Sequence, residues 1–289
     1  MASHAFAATL TMTLDLQHAP LGQTVGYPSQ YDPALLFPIA RAGARGELGL
    51  PADAPLPFAG VDLWNAYEVS WLNARGKPEV ALARCVVPAE SPNLIESKSF
   101  KLYLNSYNQT RMADPDTVRA RIAADLSAAA GAPVAVELIL PAAYGELTLG
   151  EPEGECVDGL DVEIDQYAPS AELLAVNAAR GVVRETLLSR LLKSNCPVTG
   201  QPDWATVQVS YEGPAIDRES LLRYVVGFRQ HSGFHEQCVE RMFLDILARC
   251  QPTSLSVYAR YTRRGGLDIN PWRGTADHLP PADLRTPQQ

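Results

Sequence analysis

Ser194-Asn195-Cys196-Pro197-Val198-Thr199-Gly200-Gln201-Pro202-Asp203-Trp204 puts a thiol and a carboxylate on either side of a segment whose prolines and glycine disfavour both helix and inner strand. The composition predicts a rigid, exposed loop. A sulfur and an acid held at fixed separation can add a nucleophile to an electrophile and hand a proton to the product. The plainer account is a buried structural cysteine beside a solvated turn, so the loop alone does not decide the chemistry.

Three further stretches carry groups that could assist. Phe234-His235-Glu236-Gln237 opens the last predicted helix, where a helix N-terminus also favours an anionic or polarised ligand group; an ordinary solvated helix start with Glu236 complementing the dipole reads equally well. Glu96 and Lys98, on the first helix of the first half, are either part of a site or a surface ion pair. Arg263-Arg264-Gly265-Gly266 offers two guanidinium groups and two open backbone positions suited to phosphate oxygens, or is a basic hairpin turn with glycines at positive φ. Cys85, Cys238 and Cys250 fall in apolar patterns and read as core fillers. No Gly-x-Gly-x-x-Gly follows a strand and no Gly-x-x-x-x-Gly-Lys is present, so a nucleotide would bind outside those schemes. His231, His235 and Cys238 are a weak metal signal, and no metal is expected.

The bulk numbers narrow the class. A chain of 289 residues suffices for two modest domains or one large one. A net charge of −9 argues against direct binding of nucleic acid backbone, which takes a surplus of Lys and Arg on one face. Five scattered cysteines with no C-x-x-C pair fit neither a disulfide framework nor a zinc knuckle and point to a reducing, cytoplasmic setting. No secretion signal or bilayer span is indicated.

The elements that must position these groups come in two sets. Residues 1 to about 60, rich in Pro, Gly and Ala, read as an extended arm. Trp64–Trp71 and Val80–Val87 form a predicted hairpin, and a helix is expected from Glu96. Asp114-Pro115-Asp116 announces a second helix stopped at Gly131, and Val134–Leu140 returns as a strand. After an acidic linker at 150–155, Leu160–Ile164 and Val207–Tyr211 alternate as half-buried strands, Leu221–Phe228 and Val239–Leu247 show apolar helical faces, and Ser256–Tyr261 closes with a strand. The expected class is α+β, with modules at 1–150 and 151–289.

The repeated order strand, strand, helix, helix, strand suggests duplication. An offset of 123 lays Glu96-Ser97 on Glu219-Ser220, and one residue of slip sets Pro78-Glu79 against Pro202-Asp203. Ligand groups of one module could then meet those of the other at an interface.

Taken together, the Cys loop, Glu96-Ser97-Lys98-Ser99-Phe100-Lys101-Leu102-Tyr103, Phe234-His235-Glu236-Gln237-Cys238 and Tyr261-Thr262-Arg263-Arg264-Gly265-Gly266-Leu267-Asp268-Ile269-Asn270-Pro271-Trp272 closely resemble the NADPH-dependent 7-cyano-7-deazaguanine reductases, the nitrile reductases of queuosine biosynthesis. The resemblance covers about Leu56 to Arg273 and fits the two-module form, in which the Glu-Ser-Lys motif precedes the Cys motif. It implies two tandem tunnelling-fold modules, antiparallel sheets each carrying paired helices, and a homodimer. It implies that Cys196 adds to the nitrile carbon as a thiolate to give a thioimide, that Asp203 protonates the nitrogen, and that His235 assists proton handling. Glu96 and Glu236 would accept hydrogen bonds from the deazaguanine, with Ile95 and Ser97 lining the base site. Ser97, Lys98, Arg264 and Gly265 would contact the cofactor, NADPH.

Three other readings remain open from the residues. One is a thiol hydrolase or transferase using Cys196 and His235 on a purine-like substrate. A second is a cyclohydrolase-like enzyme, which would want a zinc ion whose ligand spacing is missing. The third is a non-catalytic purine-binding module.

Overall fold

Glu96 and Asp114 start two helices for the same reason: a carboxylate there accepts the first free backbone N–H groups of the turn that follows. Glu96 accepts from Lys98 and Ser99 at 2.6 and 2.7 Å. Asp114 accepts from Thr117 at 2.7 Å, Pro115 fills the first turn, and Gly131 ends the helix at φ +71°. The computed structural model describes residues 20, 26–51 and 53–289. In chain order its elements are β1 (Pro38–Ala40), α1 (Arg41–Glu47), β2 (Ala59–Leu72), β3 (Pro78–Pro88), β4 (Asn93–Ile95), α2 (Ser97–Asn105), α3 (Pro115–Ala130), β5 (Ala135–Ile139) and β6 (Glu155–Cys156). There follow β7 (Val182–Asn195), β8 (Pro202–Pro214), α4 (Arg218–Gly227), α5 (His235–Cys250), β9 (Ser254–Tyr261) and β10 (Leu267–Gly274). The α+β class is as expected. No helix among the described residues is long and apolar enough to cross a membrane.

Eight strands form one sheet in the order β5-β3-β2-β10-β9-β8-β7-β6, all pairs antiparallel except β6 with β7. Two apolar cores lie on its helical face. Trp64, Trp71, Phe100, Tyr103, Ile122 and Leu126 belong to the first; Val207, Val257, Phe228, Met242, Phe243 and Ile246 to the second. β10 joins them, running opposite β2 from Leu267↔Ala66 to Gly274↔Ala59 and opposite β9 from Trp272↔Tyr258 to Gly274↔Ser256. The other face carries a small apolar cluster of Leu63, Tyr258 and Trp272 and, beside it, polar groups that meet the last residues: Asp283 pairs with Arg260 at 2.6 Å and the Gln289 amide oxygen accepts from Arg260 at 2.6 Å.

The two halves carry matching irregularities. The β2/β3 register slips between Ala66 and Val69, the β7/β8 register between Ser189 and Leu192, which is 66 against 189 and 69 against 192, 123 residues in each case. Tyr103 donates to Asp125 at 2.6 Å and Tyr224 to Asp245 at 2.7 Å. The overlay of Glu96-Ser97 on Glu219-Ser220 is corrected: the capping residue of α4 is Asp217, so Glu96 matches Asp217, an offset of two fewer.

Four other expectations change. The arm is not wholly extended, since β1 pairs with β4 and α1 is helical; its part before residue 26, apart from Pro20, lies outside the described residues. Leu160–Ile164 joins no ladder; Val162 packs on the second core while its neighbours face solvent, so a period of two marks an extended chain lying on a surface rather than a strand. β7 was hidden because the slip at Ser189 to Leu192 breaks the alternation. β10 was hidden by Pro271, which sits just outside its short ladder with β9.

Replacing Tyr224 by Phe leaves the partly buried Asp245 without its phenolic donor, a loss of about 1–3 kcal/mol. Urea denaturation should show a lower midpoint with an unchanged slope.

Candidate active site

Cys196 lies at the turn between β7 and β8. Its N–H donates to Gln201 O at 2.8 Å, and Gly200, at φ +67°, returns an N–H to Cys196 O at 3.0 Å. The loop is thus only residues 196–201, with Asp203 already in β8. Its tip, Thr199, Gly200 and Gln201, is exposed as expected, but Cys196 and Asp203 are not, each being 4 % accessible. The reason is tertiary. Asn195 N–H donates to His231 O at 2.8 Å and Gly233 N–H to Asn195 O at 3.1 Å, which stitches the turn to the segment leading into α5.

That stitching brings the start of α5 to the thiol. Cys196, Pro197, Asp203, Phe234, His235 and Glu236 share one cavity wall, closed by Leu94, Ile95 and Ser97 from the first half and by Thr262, Arg264, Leu267 and Ile269 from β9, β10 and the turn between them. The cavity is a narrow slot with about 50 Å³ of enclosed space, open to solvent at its mouth. Phe234 caps α5 without a side-chain hydrogen bond, so the first turn of the helix, at the edge of this slot, has no side-chain cap.

Inside it the polar groups are arranged around Asp203. His235 Nε2 is 3.4 Å from Asp203 Oδ2, and Arg264 Nε is 2.8 Å from Oδ1. The second contact is close but too poorly directed to be a hydrogen bond, and Oδ1 has no hydrogen-bond partner. The His235 ring lies flat on Tyr261, centroids 3.7 Å apart and planes 2° apart, and its Nδ1 is buried without a partner. Glu236 is 3 % accessible; burial, then the Asp62 carboxylate, pushes its carboxyl above the usual range, while Arg41 opposes. Beneath lie Ser194, Cys238 and Tyr261, the Cys238 thiol pushed up to about 12 by burial. No group of three His, Cys, Asp or Glu among the described residues could hold a metal ion.

Two family models match the chain: the N-terminal part of the nitrile reductase, 7-cyano-7-deazaguanine reductase, over residues 27–138, and QueF-like protein over 202–279. A Bordetella pertussis protein named NADPH-dependent 7-cyano-7-deazaguanine reductase is 62% identical over 276 residues, 96% of this chain and 100% of that protein. The chain belongs to this family. Reductases of the same name from Chromobacterium violaceum and Burkholderia multivorans are 60% and 57% identical over 273 residues, each covering 94% of this chain and 97% and 99% of their own.

For this 7-cyano-7-deazaguanine reductase family member, the slot gathers Cys196, Asp203, His235, Ile95, Ser97, Glu236 and Arg264. Three residues expected at the site stand off its wall. Glu96 is fully buried as the cap of α2, and burial raises its carboxyl although two N–H donors oppose. Lys98 Nζ sits 5.9 Å over the Tyr27 ring, and Gly265, at φ +58°, packs by Lys101. The two arginines of the Gly-Gly turn part company: Arg264 enters the slot while Arg263 lies over Tyr67 on the other face. Leu94, Phe234, Thr262, Leu267 and Ile269 were missed as wall residues. Phe234, Thr262, Leu267 and Ile269 stand inside the quoted motifs, but as apolar or neutral side chains they carry no signal of a role.

His231, whose carbonyl anchors the Cys turn, is taken down to about 4 by burial, from 6.5. Between those values the unfolded chain binds a proton that the fold refuses, so this contribution to stability is full above pH ~6.5 and is lost as pH falls. In His231→Gln the drop in unfolding free energy between about pH 7 and pH 5 should shrink by roughly 1–2 kcal/mol, read from urea curves of both proteins.

Proposed function

We propose that this chain reduces the nitrile of 7-cyano-7-deazaguanine to the aminomethyl group, and that Cys196, Asp203, His235 and Glu236 carry the work. The observation that supports this most is the meeting of a cysteine, an acid paired with a histidine, and a buried carboxylate in one narrow slot. A nitrile resists reduction until its carbon is bonded to a nucleophile and its nitrogen protonated. The Cys196 thiolate adds to the nitrile carbon; one π-bond's electrons move to nitrogen, which takes a proton from Asp203, giving a thioimide. His235, 3.4 Å from Asp203, shares that proton. Glu236 reads ring N–H and amino donors by charge-assisted hydrogen bonds. Ile95 and Leu267 supply apolar wall for the bicycle.

NADPH supplies hydride when bound. The residues present fit a polyanionic group: Arg264 is partly exposed in the slot, and Lys101 lies against the glycine turn beside it. Ser97 and Arg264 would hold it at the wall, with Lys98 and Gly265 contributing from outside.

The finer organisation follows the same reading. Modules at 1–150 and 151–289 accord with two cores, each drawn mainly from one half, with Leu267 crossing into the first and Phe58 and Ala89 into the second. A homodimer accords with a long edge strand, β7, of which β6 covers only Leu187 and Leu188. A cytoplasmic setting accords with five free cysteines, and the substrate is a small molecule rather than a nucleic acid.

Incubation with the nitrile in the absence of NADPH should add the ligand's mass to the wild type and nothing to Cys196→Ala. An intact-mass spectrum of the wild type with no adduct, or an adduct retained in Cys196→Ala, overturns the assignment of the nucleophile. Loss of NADPH absorbance only when nitrile is present separates the reductase from a thiol hydrolase.

A further inference from the structure

Behind Glu236 runs a row of buried charge that the reaction does not use. Arg41 Nη2 lies 2.6 Å from Asp62 Oδ2, and Arg273 Nη1 lies 2.8 Å from Asp62 Oδ1. Arg273 Nη2 and Arg45 Nη2 each meet Glu240 Oε1 at 2.8 Å. Arg41 Nε–H also donates to Ser91 Oγ at 3.2 Å, which orients its guanidinium. All five charged residues are at most 8 % accessible, and Asp62 and Arg273 are fully buried.

The row is unbalanced. It holds three guanidinium groups, from α1 and β10, against two carboxylates, from β2 and α5. An uncompensated charge in such surroundings is costly, and a third acid within reach relieves it. Glu236 stands four residues before Glu240 on α5, hence on the same helical face, and is itself buried. Its carboxyl feels both Asp62 and Arg41.

We propose that Arg41 is a positioning residue for substrate recognition: it completes a balanced row of three arginines and three carboxylates in which Glu236 is held as an ionised acceptor for the donor edge of the bicyclic base. The proposal rests on the reading of Glu236 as the group that meets that edge. Burial and Asp62 favour the neutral acid, and Arg41 opposes them from α1. The other charged groups near Glu236 are already engaged or lie elsewhere. Arg273 and Arg45 are held by Asp62 and Glu240, and Arg264 stands beside Asp203 in the slot. His235, next along α5, faces Asp203 and, after Arg41, also favours the ionised form of Glu236, while Glu96 is occupied in capping α2. Through Arg41, the segment before the first long strand thereby takes part in recognition.

The test is steady-state kinetics with the nitrile and NADPH from about pH 6 to pH 9 for the wild type, Arg41→Met and Arg41→Lys. Removing the cation favours neutral Glu236. Arg41→Met should therefore raise KM for the nitrile about tenfold near pH 7 with kcat changed less than about threefold, and the gap should close as pH rises. Arg41→Lys should restore most of the affinity, and Arg41→Gln is the working neutral variant if Arg41→Met does not fold. The proposal is overturned by a KM equal to the wild type's in a folded neutral Arg41 variant, or by a KM raised equally at every pH, which a purely structural role would produce. Glu236→Gln separates the two layers. If it leaves KM unaltered, the reading of Glu236 itself fails; if it raises KM while the neutral Arg41 variants behave as wild type, only the role of Arg41 fails.

Discussion

One strand with partners on both edges holds the molecule together. β10 takes eight residues of β2 on one side and three of β9 on the other, and so turns two short sheets into one. The slot exists because of that seam. Its walls come from β4 in the first half, from β8 and the start of α5 in the second, and from β10 and the turn before it. A strand in this place must satisfy two ladders while carrying Pro271, and it does so because the ladder with β9 begins only at Trp272. Tyr261 N–H is met instead by the side-chain oxygen of Asn270 at 3.1 Å.

The seam also explains where polar groups go without partners. Asp203 Oδ1 and His235 Nδ1, on the slot wall, are buried and unpaired, as are Ser194 Oγ and Tyr261 OH, whose residues lie off that wall. Buried polar atoms are seldom left so, and a cluster of them has the character of a surface prepared for something else to complete. Around this cluster the structure is heavily satisfied: Glu240, opposed by burial, is nevertheless held low by Arg273 and Arg45. Incomplete bonding at the slot is tolerated because the surrounding charge network and the two cores fix its walls.

Much of this was legible in the residues. Asp114, Pro115 and Gly131 announce α3 because capping is local chemistry, and Glu96 marks the start of α2 for the same reason. The pairing of Cys196 with Asp203 across a turn was readable, as was the presence of His235 and Glu236 at a helix start. What could not be read depends on contacts between distant segments. Cys196 is buried because Asn195 bonds to His231 and Gly233, and no feature of the turn reports that. β7 was lost to its own register slip, while Leu160–Ile164 imitated a strand by resting Val162 on the core. Glu96 was expected at the ligand; that its carboxylate also accepts the first N–H groups of the helix it begins could be read from its place before Ser97 only once the helix start was known.

The stacking of His235 on Tyr261 has a bearing on how protons can travel. A ring lying 3.7 Å from another, with planes 2° apart, cannot rotate about its own axis without driving an edge into its neighbour. Its nitrogens are thereby held apart in role, Nε2 toward Asp203 and Nδ1 buried without a partner. The imidazole is thus a one-sided port: a proton that arrives from the Asp203 side has no second group at the far nitrogen to receive it, and returns the way it came.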